Sequence, residues 1–404
     1  MTAAVLKQPE PIPFARTVIT PAARRAAARV MASGWVTTGP EVIAFESELA
    51  QWVRAKHAVG VSSATAAIEI ALRALQLPPK SRVLTSTITF CGAIHAIVHA
   101  GHRPVLVDVD AETLMPNAET VARAARLGAG AFVAVHYGGH GAELYECATA
   151  AGLPMSRVVE DAAHAIGTEI NGERVGALSA ATCFSFYATK NLPIGEGGMI
   201  TTNDDELAAI AKRLRIHGMS GDAWKRYLPG GGWRYTVADD GIKANMTDVQ
   251  AAIGRAHLRD LESWQRRREV LAAAYDAGLA GIPGIRLPAR PAGRGRHAWH
   301  LYVIRVQPEF GISRDELIVR LAEQGIHCSV HFIPNHTQPY FGQFLDVHAK
   351  FPNADRAFEQ IVSLPFYHSL TVAEIERVCE AIAGCAAAHS RRPTLARTEQ
   401  GVEA

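Results

Sequence analysis

The sequence predicts an α/β fold, with a mostly parallel sheet in a large domain and a smaller C-terminal α/β domain after it. Three observations carry that expectation. Between about residues 58 and 202, short β-branched runs alternate with helix-period segments such as TAAIEIALRAL and TVARAARL. The runs are apolar without polar alternation, as strands covered on both faces must be. A Pro/Gly/Arg break, PGIRLPARPAGRGR at 283–296, then leads into a second βαβα pattern.

The elements follow in order. HAVGV reads as a strand, and the clearest further strands are 82–86, 104–109, 131–135, 157–160, 182–187 and 198–202. The last of these is expected to run antiparallel, because its connection from the previous strand is too short for a crossover helix. Helices are expected at 204–217 and 247–280, the second passing along the surface towards the small domain, with a Gly- and aromatic-rich functional loop at 220–242 between them. Beyond the break come a strand (HLYVIRV), a helix (SRDELIVRLAEQG), a strand (HCSVHF) and a closing helix at 371–388. The division is thus a large domain at 12–282, a small one at 283–388 and a polar, Arg-rich tail at 389–404, expected to be disordered.

Composition narrows the function. A chain of 404 residues, 48% hydrophobic, can bury a large core. Lys and Arg number 41 against 39 Asp and Glu, a balance that excludes a nucleic-acid footprint. No apolar run reaches the roughly 18 residues of a transmembrane helix, and the N-terminus lacks a signal-peptide core. Six scattered cysteines without a CxxC pattern point to a reducing, cytoplasmic compartment.

In parallel sheets ligands bind beyond the carboxyl ends of the strands, and four features fall there. Ser62-Ser63-Ala64-Thr65 opens a helix, where free N–H groups can hold a phosphate, although Ser and Thr are also ordinary helix caps. Asp161 ends a strand and could salt-bridge a ring nitrogen or cap the next helix. Lys190 follows Ser185 in the turn after a strand, beside GEGG, as a desolvated Schiff-base lysine would. Phe90 follows another strand, placed to cover a flat ring. A phosphate cradle, a carboxylate, a stacking aromatic and a lysine are together the set that pyridoxal 5′-phosphate (PLP) requires.

The chain resembles the nucleotide-sugar aminotransferases, PLP enzymes of the aspartate-aminotransferase fold (type I), from about residue 12 to 388. The likeness rests on GWVTTGPEV, EDAAHAIGT, FSFYATKN, GEGGMITT, LRIHGM, GIKANMTDVQAAIG, HAWHLYVIRV, VHFIPNHTQPYF and SLPFYHSLT. It implies a seven-stranded large domain and a homodimer with shared active sites. By this resemblance Lys190 forms the internal aldimine and shuttles the proton, and Asp161 keeps the pyridine nitrogen protonated. His164 lies near the phenolic oxygen, Phe90 stacks on the ring, and Ser63, Ala64, Thr65 and Ser185 hold the phosphate. Asn245 reaches the phosphate from the neighbouring subunit, with Lys243 as the alternative. Thr38 and His331 are candidates for substrate binding, and GWVTTGP, the loop 220–235 and HFIPNHTQPY would form an open cleft for a bulky substrate. Family members commonly carry Ser-Gly-Thr where this chain has Ser63-Ala64-Thr65, a change that matters only if that position needs a positive φ.

The expected reaction moves an amino group from an amino acid, L-glutamate by resemblance, through pyridoxamine phosphate to a nucleotide-linked keto sugar. A sugar dehydratase on the same fold would lack Lys190, and a non-catalytic regulator would have lost Lys190 or Asp161. A cyclic ketone other than a nucleotide sugar is also compatible with these motifs. His95, His99 and His102 are spaced to share one helical face and could bind zinc, but no carboxylate or cysteine joins them, so no metal is expected. The pairs His297/His300 and His331/His336 are expected to line the cleft or pack at the domain junction.

Overall fold

The computed structural model describes residues 10–126, 128–219, 234–346 and 348–390, with side chains through 386. Residues 220–233 of the expected functional loop and the tail beyond 390 lie outside these residues.

Two helices, α1 (Pro21–Ser33) and α2 (Pro40–Val53), precede the sheet, each with a proline in its first turn. The strands are β1 (His57–Val61), β2 (Arg82–Ser86), β3 (Arg103–Val107), β4 (Ala131–Val135), β5 (Val158–Asp161), a short hairpin β6 (Glu169–Ile170) and β7 (Glu173–Arg174), then β8 (Ala181–Ser185) and β9 (Gly198–Thr202). Apart from the hairpin they form one seven-stranded sheet in the order β1-β9-β8-β5-β4-β2-β3. Strands β3, β2, β4, β5 and β8 pair in parallel, and β9 runs antiparallel to both its neighbours. The expected antiparallel strand is thus present.

Alternation across the pleat explains why both faces are apolar. Val83, Val133 and Val159 pack with α3 (Ala64–Ala74), whereas Leu84, Phe132 and Val158 face α5 (Ala118–Ala125) and α6 (Leu144–Ala150). Helix α4 (Cys91–His99) contributes to both cores, and α7 (Asp205–Leu214) to the first. Burying each of these Val, Leu or Ile side chains contributes about 1.5–3 kcal/mol.

Helix α8 (Asp248–Leu279) opens with a capping box in which Thr247 and Gln250 satisfy each other's backbone N–H. Its first residue also caps a second helix. The Asp248 carboxylate accepts from the N–H groups of Gly39 (2.8 Å), Val42 (3.0 Å) and Glu41 (3.2 Å), where α2 has no local side-chain cap. The expectation of a surface helix needs correction: Leu261, Gln265, Arg268, Leu271 and Tyr275 are buried, so α8 runs through the interior. Apart from Arg268 and the capping Asp248, its charged residues are exposed or half-buried.

The C-terminal part is built on an antiparallel sheet, β10 (Ile285–Arg286), β11 (Tyr302–Val306) and β12 (Ile361–Leu364), with α9 (Arg314–Glu323), α10 (Pro352–Gln360) and α11 (Val372–Ser390). The expected strand HCSVHF does not form. That segment makes only an isolated pairing of Ser329 with Ser363, and IVSL at 361–364 takes the sheet position instead. The core here joins Ile12 and Leu271, Tyr275 and Leu279 of α8 to Tyr302, Ile304, Val362 and Leu364. None of the six cysteines forms a disulfide. Among the described residues no helix is long and apolar enough to cross a membrane.

Candidate active site

A cavity of about 500 Å³ opens at the carboxyl ends of the parallel strands. Most of the residues expected to bind the cofactor line it: Ser63, Ala64 and Thr65 after β1, Phe90 after β2, Asp161 and His164 after β5, and Ser185 and Lys190 after β8. His331 lines it as well. Strand ends converge there because every βα unit returns on the same side of the sheet.

Local chemistry sets each group. Ser63 caps α3, its hydroxyl accepting from the N–H of Ala66 (3.1 Å). Ala64 begins the helix with no positive φ, so the backbone demands no glycine there. Glycine is needed across from it. A Cβ on Gly198 would stand 2.5 Å from the Ser63 carbonyl and 2.8 Å from the Ala64 nitrogen, so β9 can pass beneath this loop only as glycine. Phe90 is 60% exposed, its ring open to the cavity and not spent on the core.

Burial drives the ionisable groups towards neutrality. It lowers the Lys190 pKa to about 8, against the Asp161 charge that favours the ammonium. Asp161 is raised by the same desolvation, opposed by the Ala163 N–H and the Lys190 charge. His331 falls to about 4, and His164 and His300 fall well below the ordinary histidine value, all mainly through burial. Three neutral imidazoles therefore surround the lysine. The Gly138 N–H approaches His164 Nδ1 (3.3 Å), so Nδ1 accepts and the proton sits on Nε2.

Beneath Asp161 lies a buried pair that the sequence did not reveal. The Ala142 N–H donates to His136 Nδ1 (3.0 Å), which leaves His136 Nε2–H to donate to Glu160 (2.9 Å). Ser179 and Thr182 hydroxyls donate to the other Glu160 oxygen, at 2.7 and 2.8 Å. The backbone N–H of His136 donates to the Asp161 carbonyl (3.1 Å), tying this pair to the strand end.

Not every expected residue is there. The Thr38 hydroxyl donates to the Met246 carbonyl (2.6 Å) and accepts from Asn245 Nδ2 (2.8 Å), while Lys243 Nζ contacts Asn245 Oδ1. These three form a separate polar group and do not line this chain's cavity. The GWVTTGP segment leads into α2 and is held by Asp248, so it does not wall the cavity either. The three spaced histidines do not share a helix, since α4 ends at His99, and among the described residues no three metal-ligating side chains converge. Of the other histidine pairs, His300 and His331 reach the cavity. His297 stacks on Trp299 (3.8 Å) and His336 bonds Asp355 (2.8 Å). Phe332, in the HFIPNHTQPY segment expected at the cleft, lines the cavity as well, as do Tyr187 and Glu196, which the sequence did not single out.

Comparison with known proteins places this geometry. The model of the DegT/DnrJ/EryC1/StrS aminotransferase family matches residues 18–383. Spore coat polysaccharide biosynthesis protein SpsC of Bacillus subtilis (strain 168) is 43% identical over 353 residues, 87% of this chain and 90% of SpsC. The aminotransferase TlmJ from Streptoalloteichus hindustanus superposes with a TM-score of 0.84 at 31% identity, covering 94% of this chain and 99% of TlmJ. The PLP form of the putative sugar aminotransferase Spr1654 from Streptococcus pneumoniae gives 0.85 at 27% identity, covering 94% and 99%. The residues present fit PLP: a lysine of lowered pKa, a buried carboxyl, an open aromatic face and a helix N-terminus approached by Gly198 meet in one cavity. The chain belongs to the DegT/DnrJ/EryC1/StrS aminotransferase family and is a PLP-dependent sugar aminotransferase.

Proposed function

We propose that the enzyme transfers an amino group from L-glutamate to a nucleotide-linked keto sugar, with Lys190 as the reactive amine. The observation that carries this reading is a lysine brought to a pKa of about 8 inside a cavity that it shares with Asp161 and Phe90. Bound PLP supplies an aldehyde for amines and a ring that withdraws electrons from the carbon losing its proton. Lys190, about half deprotonated near pH 8, moves the proton lost by the substrate carbon between that carbon and the cofactor. Asp161 holds the proton on the ring nitrogen; a carboxyl raised by burial gains most from a cationic partner. Phe90 covers the ring, His164 offers its Nε2–H to the ring oxygen, and Ser63, Ala64, Thr65 and Ser185 bind the phosphate at the start of α3.

Asn245, or Lys243 beside it, completes the phosphate site of a neighbouring copy in a homodimer. Their position outside this chain's own cavity, together with Thr38, supports that reading. Unpaired cysteines fit a cytoplasmic location. SpsC, named for polysaccharide biosynthesis, supports an amino sugar as the product class. The test uses purified full-length protein loaded with PLP. L-Glutamate bleaches its visible absorbance, and members of a panel of nucleotide keto sugars restore it; Lys190→Ala abolishes both changes. A wild-type protein that gains no visible absorbance with PLP refutes the assignment of Lys190. Restoration by no keto sugar in the panel refutes the substrate class.

A further inference from the structure

Three consecutive carbonyls in the segment leading to His300 of the cavity wall are each gripped by a different buried side chain. Gln265 Nε2 donates to the carbonyl of His297 (2.8 Å), Asn191 Nδ2 to that of Ala298 (2.7 Å) and Arg268 Nη1 to that of Trp299 (2.8 Å). Gln265 and Arg268 come from α8 and Asn191 from the turn after β8, each no more than 3% exposed. The other edge is fixed too, the N–H groups of Ala298 and His300 donating to Gly139 (2.9 Å) and Gly138 (3.0 Å). Inside this grip Trp299 adopts φ +49°, a left-handed backbone that a bulky residue holds only when its surroundings impose it. The Arg268 guanidinium lies over the Phe366 ring (5.7 Å), and burial draws its pKa down to about 9. A buried guanidinium without a counter-charge is a costly way to hold one carbonyl. The next residue along the chain is His300, which faces the cavity.

The tautomer of His300 follows from the same contacts. Asn191 spends its Nδ2 on Ala298, so its Oδ1 is the atom facing His300 Nδ1 (3.2 Å), and the ring proton lies on Nδ1. Nε2 is left as a lone pair. The ring lies 4.3 Å from that of His164, whose own proton is on Nε2. Two neighbouring imidazoles therefore offer one fixed acceptor and one fixed donor.

We propose that His300 is an active-site acceptor for the transferred nitrogen: the clamp of Gln265, Asn191 and Arg268 holds its Nε2 lone pair towards the N–H groups of Lys190 and of the substrate amine that replaces it. This rests on Lys190 being the reactive amine. The ring is suited to the task because it stays neutral. Burial, reinforced by His164, Lys190, Arg268 and His331, keeps its pKa well below the ordinary value. The other titratable groups around the lysine are Asp161 after β5, with His136 behind it, and Glu196 and Tyr187 at the cavity rim. An acceptor that stabilises the ammonium raises the Lys190 pKa, so deleting it lowers that value.

The test reads Lys190 directly. Full-length protein freed of PLP is treated with an amine-acylating reagent across pH, and modification of Lys190 is followed by peptide mass spectrometry. His300→Phe is expected to move the Lys190 midpoint down by roughly 0.5–1 pH unit. His300→Gln, which returns an acceptor near the Nε2 position, recovers most of that shift, and Arg268→Met, which opens the clamp, reproduces part of it. In PLP-loaded protein, His300→Phe slows the glutamate half-reaction about tenfold with little change in KM. A Lys190 midpoint unchanged in His300→Phe, or moved equally in His300→Phe and His300→Gln, overturns the proposal. Wild-type protein without a PLP-dependent absorbance would instead refute the assignment of Lys190 to PLP, while the modification profile still decides whether His300 acts on that amine.

Discussion

Replacing Lys190 by Met should make the PLP-free protein more stable, and the size of the gain follows from the lysine's environment. Burial lowers the Lys190 pKa from 10.5 to about 8. The folded state thus binds this proton less tightly than the unfolded chain does, and stability rises with pH between those two values. The penalty is fully present below about pH 8 and gone above about 10.5. At about 1.4 kcal/mol per unit, its ceiling is about 3.5 kcal/mol, and partial access through the cavity mouth reduces this to about 2 kcal/mol. Met keeps the length of the apolar stem without the charge. Urea unfolding of both proteins at a series of pH values reads the difference directly. Lys190→Met should lead by about 2 kcal/mol at pH 7, and the lead should close as pH climbs from 8 towards 10.5. Equal stability at pH 7, or a lead that does not depend on pH, would refute the claim that desolvation of this ammonium tunes the site.

Other parts of the site make their own predictions. Gly198→Ala drives a Cβ into the Ser63–Ala64 backbone and should weaken PLP binding at least about tenfold in an absorbance titration, with the fold retained. Glu160→Gln turns an amide N–H towards groups that already donate, His136 on one side and Ser179 and Thr182 on the other. It should cost about 3 kcal/mol and lower Tm by a few degrees, whereas a Tm equal to wild type would refute this donor pattern around Glu160. Asp248→Ala leaves three backbone N–H groups of the α2 start without their acceptor and should cost about 2 kcal/mol by urea unfolding, with PLP affinity unchanged.

How far the sequence spoke depended on the range of the interaction. Strands 82–86, 131–135 and 198–202 were legible because a strand buried on both faces must be apolar throughout. HCSVHF misled because its β-branched and aromatic composition suits a strand. Its neighbours nevertheless allow only isolated pairings, Ile326 with Ile12 and Ser329 with Ser363. IVSL carries no strand signal of its own because it starts directly at the end of α10, with no turn residues to mark it. Lys190, Asp161 and Phe90 were legible because each follows a strand whose end the sheet topology brings to one place. The place of His300 at the cleft was legible too, but its contact with Asn191 and the His136–Glu160 pair were not, since they join side chains 109 and 24 positions apart. GWVTTGP was visible as a motif, but only the contacts to Asp248 and Met246 show that its local work is to start α2.

The directions of the shifts in the cavity form one pattern. Lys190 is pushed towards the free amine, Asp161 towards the acid, and His164, His300 and His331 towards neutral imidazole. A low-dielectric cavity does this to every ionisable group, whatever its sign. Under the proposed assignment, both groups stay destabilised until PLP brings opposite partners, a ring N–H for Asp161 and an electrophilic carbon for the Lys190 amine. Binding then relieves two desolvation penalties besides making new contacts, and ligand-linked stabilisation reports both. Loading with PLP should accordingly raise wild-type Tm more than it raises that of Lys190→Met, and the excess should shrink above pH 8, where the lysine penalty fades. An excess that stays constant from pH 7 to pH 10 would mean that contacts alone, and not the relief of a buried charge, couple the cofactor to the fold.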